Sequence, residues 1–214
     1  MKNNSQLDVF VFPPSAYSRS VLFFLEEAGI EYNENIINLR NKDNLSDEYK
    51  NINPTLRTPT IRDDRVVIGE TSTILRYLSK KHNCFCSNKI EENTQDDFWL
   101  EYVIQHITPF AKELIWQRVL FPQISKATSA DLEQRAFNQV TRSLKAIEDA
   151  IKSPSQRIGE TLTLVDFVLA PSLNWLVQAR IDLPKMTNKY YNKLISLDSW
   201  KRVEQSLQNF SMSN

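Results

Sequence analysis

Two places in this chain hold side chains of a type and spacing that could do chemistry at the start of a helix. Ser15 stands ahead of an apolar set, Val21, Phe24, Leu25 and Ala28, that recurs at helical spacing. A hydroxyl there caps the helix, a contribution of about 1 kcal/mol. Glu70, Thr71 and Ser72 open a second such set, with Ile74, Leu75 and Leu78 apolar. A carboxylate and two hydroxyls therefore sit where unpaired N–H groups and the helix dipole favour an anion. On pattern alone, ordinary capping is the favoured account of Ser15 and also accounts for Glu70, Thr71 and Ser72.

Other chemistries have no support. Cys84 and Cys86 have one residue between them, which matches neither a redox C-x-x-C nor a zinc cluster. His82 and His106 lack a ligand set, so no metal site is expected, and no motif supports Ser-His-Asp catalysis. The three glycines, Gly29, Gly69 and Gly159, lie too far apart for a dinucleotide fingerprint or a P-loop.

These residues need elements to hold them. Leu7 to Phe12 reads as a strand, and the helix after Ser15 ends at Gly29, which accepts the left-handed cap. Glu31 to Ile37 reads as a second strand, and Ser46 to Lys50 as a short helix before Asn53-Pro54. Residues 60–62 and 66–68 flank Asp63-Asp64-Arg65 as a hairpin. A helix is expected from Thr71 to Lys81. The order β-α-β-α-β-β-α implies an α/β, thioredoxin-like four-stranded mixed sheet, with its first two strands parallel through a helical crossover.

The remainder reads as an all-α helical-bundle domain. One pattern passes through Trp99, Val103, Ile107 and Leu114, another through Leu132, Phe137, Val140, Leu144 and Ile147. A further helix starts after Thr163, capped by Asp166 three residues on, with Pro171 expected to kink it. A closing helix over 197–208 should bury Trp200, Val203 and Leu207. The expected domains are 1–83 and 94–214, with 84–93 as linker.

With 26 basic and 26 acidic side chains, the formal charge is zero. No electrostatic footprint for nucleic acid or anionic lipid results. No apolar run approaches the ~20 residues of a membrane span. The polar start and early Pro13-Pro14 do not suit a signal peptide. Neither a nucleic acid nor a membrane is expected as a partner, and a cytoplasmic location is expected.

Four segments, in order, resemble the cytosolic glutathione S-transferase superfamily. Pro14-Ser15-Ala16-Tyr17-Ser18-Arg19-Ser20-Val21 leads into Leu25-Glu26-Glu27-Ala28-Gly29-Ile30-Glu31-Tyr32, similar to the family's first strand–helix junction and its L-E-x-x-G-I-x-Y. Asn53 to Ile61 is similar to N-P-x-G-K-V-P-x-L, and Gly69 to Leu78 to E-S-x-A-I-x-x-Y-L. Gly159 to Phe167 is similar to the helical-domain S/T-x-x-D cap. Two departures stand out: Leu56-Arg57 replaces the frequent Gly-Lys, and Thr71 replaces Ser.

The resemblance implies a serine-type member in which Ser15 is catalytic and meets the glutathione sulfur, with Tyr17 and Ser18 as competing contacts. It implies a cis Thr58–Pro59 bond that turns the Thr58 backbone toward the cysteinyl backbone of glutathione. It gives Glu70 and Thr71 the γ-glutamyl group, and Arg57 or Arg40 the glycyl carboxylate. It implies that Phe12, Tyr17, Tyr102, His106 and Phe110 line the second-substrate pocket, and core packing explains some of these equally well. The expected function is a transferase, with roles such as detoxification, using glutathione as co-substrate on a small apolar electrophile. Glutathione-dependent isomerase, dehalogenase or peroxidase chemistry is also compatible. A homodimer is expected. The alternative is a non-catalytic scaffold or ligand-binding protein of the same fold.

Overall fold

A computed structural model describes residues 7–213 of the chain. It falls into two compact units: residues up to Cys84 together with those from Asp198 onward, and Phe85–Leu197 between them.

The first unit is built on a four-stranded sheet of order β2-β1-β3-β4: β1 Leu7–Val11, β2 Tyr32–Ile36, β3 Thr60–Asp63 and β4 Val66–Gly69. β1 and β2 run parallel; β3 is antiparallel to both β1 and β4. The expected mixed sheet is therefore present. Asp64, in the two-residue turn between β3 and β4, takes a φ of 55°, which aspartate tolerates better than most residues. Along β1, Val9 and Val11 are buried on one face, while Phe10 on the other meets the Tyr49 ring edge-on at 6.0 Å. Tyr49 belongs to α2, Asp47–Ile52, whose start Ser46 caps by accepting from the Tyr49 N–H at 3.2 Å.

α1, Ala16–Ala28, runs from the end of β1 and stops at Gly29, whose φ of 63° and bond to the Leu25 carbonyl are those of a left-handed cap. Its Val21 to Leu25 stretch is wholly buried. α3, Thr71–His82, packs against it. The closing helix, α10 Asp198–Ser213, also packs on α1 and groups with the sheet unit, not with the helices before it. Trp200 of α10 stacks edge-on against Phe23 at 5.4 Å. Trp200 and Val203 are buried as expected; Leu207 is only half-buried, and Phe210 completes the buried set.

The second unit is helical: α4 Ile90–His106, α5 Thr108–Ile115, a π-turn at Trp116–Leu120, α6 Phe121–Gln123, α7 Ala130–Ile151, α8 Leu164–Gln178 and α9 Lys185–Ile195. α4 begins inside the stretch expected to be linker. The single helix expected through Trp99 and Leu114 is two, broken at Ile107. Pro109 is the physical reason: it offers no N–H to a continuing ladder, but it fits the first turn of a new helix. α8 is buried along most of its length and packs against α4, α5 and α9. It continues through Pro171. At its start the Asp166 carboxylate accepts from the Thr163 N–H at 2.7 Å and from the Tyr190 hydroxyl. Burial holds that carboxyl up at about 6, against the pull of those two donors. No helix among the described residues is long and apolar enough to cross a membrane.

Candidate functional site

Sheet register brings the candidate residues to one end of the first unit. Phe10 pairs across to Asn35 on one side and Thr60 on the other, and Thr60 pairs with Gly69. Every candidate segment leaves the sheet beyond this row. Ser15 follows Phe10 by five residues, and Arg40 follows Asn35 by five. Thr58 and Pro59 immediately precede Thr60; Glu70 and Thr71 immediately follow Gly69.

Ser15 occupies the cap position of α1 with extended backbone angles, φ −80° and ψ 128°. Its N–H donates to the Phe12 carbonyl at 2.8 Å and its own carbonyl accepts from the Arg19 N–H at 2.9 Å. Its hydroxyl makes no capping bond. The half-buried hydroxyl has no hydrogen-bond partner among the described residues and stands at the positive end of a 13-residue helix.

The competing contacts are differently placed. Ser18 is fully buried and its hydroxyl accepts from the Phe12 N–H at 3.1 Å, which ties the end of β1 to α1. Tyr17 is half-buried, and its phenol is pushed up to about 12 by burial and then by the charge of Glu70, with Arg57 opposing. Glu70 and Arg57 thus each lie close enough to Tyr17 to act on its phenol.

The Thr58–Pro59 bond is cis. Ahead of it, Leu56 takes a φ of 58°. The loop thus follows the left-handed path that glycine would take, with a leucine in its place. Glu70, the N-cap of α3, has φ 61° and ψ 119°, outside the ordinary regions for a residue with a Cβ. Such a conformation costs about 1–3 kcal/mol and marks positions where backbone placement matters. Thr71 is buried at the first turn of the helix, and the Glu70 side chain is exposed.

Both candidate arginines are exposed. The Arg40 guanidinium lies 5.9 Å from the Phe210 ring centroid, and Phe210 meets Phe12 edge-on at 5.5 Å. Phe12 is thus packed on α10, a contact that no local pattern around either residue announces. In the second unit, Tyr102 and His106 stand one turn apart on α4 with rings 5.0 Å apart, and Phe110 is half-buried on α5. Cys84 is half-buried and Cys86 exposed.

The family model for the glutathione S-transferase N-terminal domain matches residues 14–81, and that for the C-terminal domain matches residues 96–198. Glutathione S-transferase theta-2 of Rattus norvegicus is 25% identical over 176 residues, which is 80% of this chain and 71% of that one. Glutathione S-transferase T2 of Arabidopsis thaliana is 29% identical over 147 residues, 67% of this chain and 25% of the longer plant protein. Among solved structures, the glutathione transferase URE2P8 of Phanerochaete chrysosporium with oxidised glutathione superposes with a TM-score of 0.85 over the whole of both chains at 18% identity. The two domain models match in order, and the first spans Ser15, Tyr17, Arg40, the Arg57–Pro59 loop and Glu70–Thr71. On that evidence the chain belongs to the glutathione S-transferase superfamily.

Proposed function

We propose that the protein is a glutathione transferase of the serine type, in which the Ser15 hydroxyl holds the glutathione thiolate for attack on a small apolar electrophile. The observation that carries this reading is the cross-strand row Phe10–Thr60–Gly69, beyond which a helix start with an uncommitted hydroxyl, a cis-proline segment and a strained acidic cap all emerge. Each has a role in binding a γ-glutamyl tripeptide. The Thr58 backbone pairs with the cysteinyl unit as an added strand would. Glu70 accepts from the γ-glutamyl ammonium, while Thr71 and the N–H groups of α3 receive the γ-glutamyl carboxylate. Arg57 or Arg40 meets the glycyl carboxylate as an exposed cation.

The chemistry follows from the sulfur. A thiol at the start of α1 ionises more easily because the helix dipole and one hydroxyl hydrogen bond stabilise the thiolate. The thiol proton leaves to solvent, and the thiolate then forms the new carbon–sulfur bond as the electrophile's leaving group departs with its electron pair or, in an addition, as its π bond opens and takes up a proton from solvent. Ser15 stabilises the nucleophile and does not itself attack. Phe12 and Tyr17 supply aromatic side chains for the electrophile. The protein acts in the cytoplasm as a homodimer with detoxifying activity.

Titration with glutathione, followed by thiolate absorbance, tests this. Wild type should develop the thiolate signal near neutral pH, and Ser15→Ala should bind glutathione with that signal reduced. Absence of binding at millimolar glutathione would reject the enzyme reading. A signal that Ser15→Ala leaves intact would reject Ser15 alone.

A further inference from the structure

Three buried side chains converge on the carbonyl of Arg57. Tyr49 Oη lies 2.7 Å from that oxygen, Asn53 Nδ2 3.0 Å and Thr60 Oγ1 3.1 Å. Tyr49 is 2% exposed, Asn53 5% and Thr60 0%. They also reach one another: Asn53 Nδ2 is 2.8 Å from Thr60 Oγ1, and the two hydroxyl oxygens are 3.0 Å apart. One proton arrangement satisfies every atom. Tyr49 and Thr60 each donate their hydroxyl hydrogen to the carbonyl, and Asn53 donates one amide hydrogen to the carbonyl and the other to Thr60. Asn53 Oδ1 accepts from the N–H and hydroxyl of Thr55, at 3.0 and 2.8 Å. A buried polar network with no group left over is rigid.

The carbonyl it grips is half of an amide. The Arg57–Thr58 peptide is trans and planar, so fixing its oxygen also fixes its N–H, which points the opposite way. That N–H belongs to Thr58 and has no partner among the described residues. Pro59 has no N–H, so Thr58 supplies the one backbone donor of this two-residue segment. From this geometry we infer that Tyr49, Asn53 and Thr60 are positioning residues that aim the Thr58 N–H at the cysteinyl carbonyl of glutathione. The inference rests on the glutathione reading of the site. The three side chains touch no substrate; they act through a single peptide plane, and they deliver binding rather than bond-making.

The test uses the full chain. Tyr49→Phe removes one donor and keeps the ring against Phe10. The Kd for glutathione should rise about fivefold, the scale of one lost hydrogen bond among several. The kcat at saturating glutathione and the KM for the electrophile should stay at wild-type values. The Thr58 amide proton should move downfield when glutathione is added to wild type, and move less in the variant. Thr60→Val, which keeps the side-chain volume, should act in the same direction and serves if Tyr49→Phe does not fold. A glutathione Kd and a Thr58 shift equal to wild type in the folded variants would overturn the inference, as would a fall in kcat at unchanged Kd. A wild type that binds no glutathione would refute the underlying reading of the site and this inference with it. That outcome differs from binding that the variants leave untouched.

Discussion

The guanidinium of Arg19, 1% exposed within α1, reaches the carboxylate of Glu204 on α10 at 3.0 Å and lies 5.6 Å from the Trp200 ring centroid. A charge so deep needs its partner, because an uncompensated buried cation is costly. Glu204→Ala should therefore destabilise the protein by about 2 kcal/mol, less than a wholly buried pair because the Glu204 side chain is one-third exposed. Equilibrium unfolding by denaturant reads this directly. A loss below about 0.5 kcal/mol, the scale of an ordinary surface ion pair, would show that the pairing does not hold α10 in place.

Leu56 carries a backbone conformation that suits glycine, with φ 58°. Leu56→Gly and Leu56→Ala both remove the half-buried side chain, so their difference isolates the backbone term. Leu56→Gly should be the more stable of the two by about 1 kcal/mol, the scale of left-handed strain for a residue with a Cβ. Thermal midpoints of the two variants decide it, and equal midpoints would mean the loop relaxes when the side chain is cut.

Glu148 of α7 accepts from the backbone N–H groups of Met186 and Thr187 at 3.1 and 2.8 Å, and so caps the start of α9. Burial works to raise its carboxyl, but those N–H groups, Lys152 and the Thr187 hydroxyl outweigh it and hold it at about 2, against 4.5 for the free side chain. A carboxyl with a depressed folded pKa contributes stability that is present above its unfolded value and lost as pH falls toward the folded one. The contribution, up to about 3 kcal/mol, should disappear between pH ~4.5 and ~2. Glu148→Gln should be the less stable protein at neutral pH, with the gap to wild type closing across that acid window. A gap constant with pH would contradict the assignment.

The pH–rate profile separates Ser15 from Tyr17. The Tyr17 phenol, held up at about 12 by burial and the Glu70 charge, stays protonated through the working range. With the sulfur held by Ser15, Tyr17→Phe should leave the rising limb of kcat/KM where it is. On the proposed role of Ser15, Ser15→Ala should move that limb upward by about one pH unit. The reverse pattern would transfer the sulfur contact to Tyr17.

The sheet unit was largely legible because its signals are local. Apolar spacing, Gly29 and the Asp64 turn each act within a few residues, and the structure follows them to within one or two positions at most ends. The missed features lie far apart in sequence. α9 has no capping residue of its own, since Glu148 does that work from 38 positions away. The break at Ile107 was hidden because the apolar spacing runs on unchanged across Pro109. Asn53 was visible as part of a motif, but its union with Tyr49 and Thr60 depends on α2 folding back over β3. Ser18 and Ser15 look alike in sequence; only the fold commits one hydroxyl to the Phe12 N–H and leaves the other open.

The discontinuity of the first unit has a consequence for how the chain is made. All four strands are synthesised before residue 70, yet the helix that covers Phe23 and pairs with Arg19 is made only after the whole of Phe85–Leu197. The sheet unit must therefore wait, with part of α1 bare, while the whole of the helical unit emerges and folds between its two pieces. A chain cut after Leu197 would keep every strand and every candidate glutathione contact, and still lack the one element that finishes its first domain.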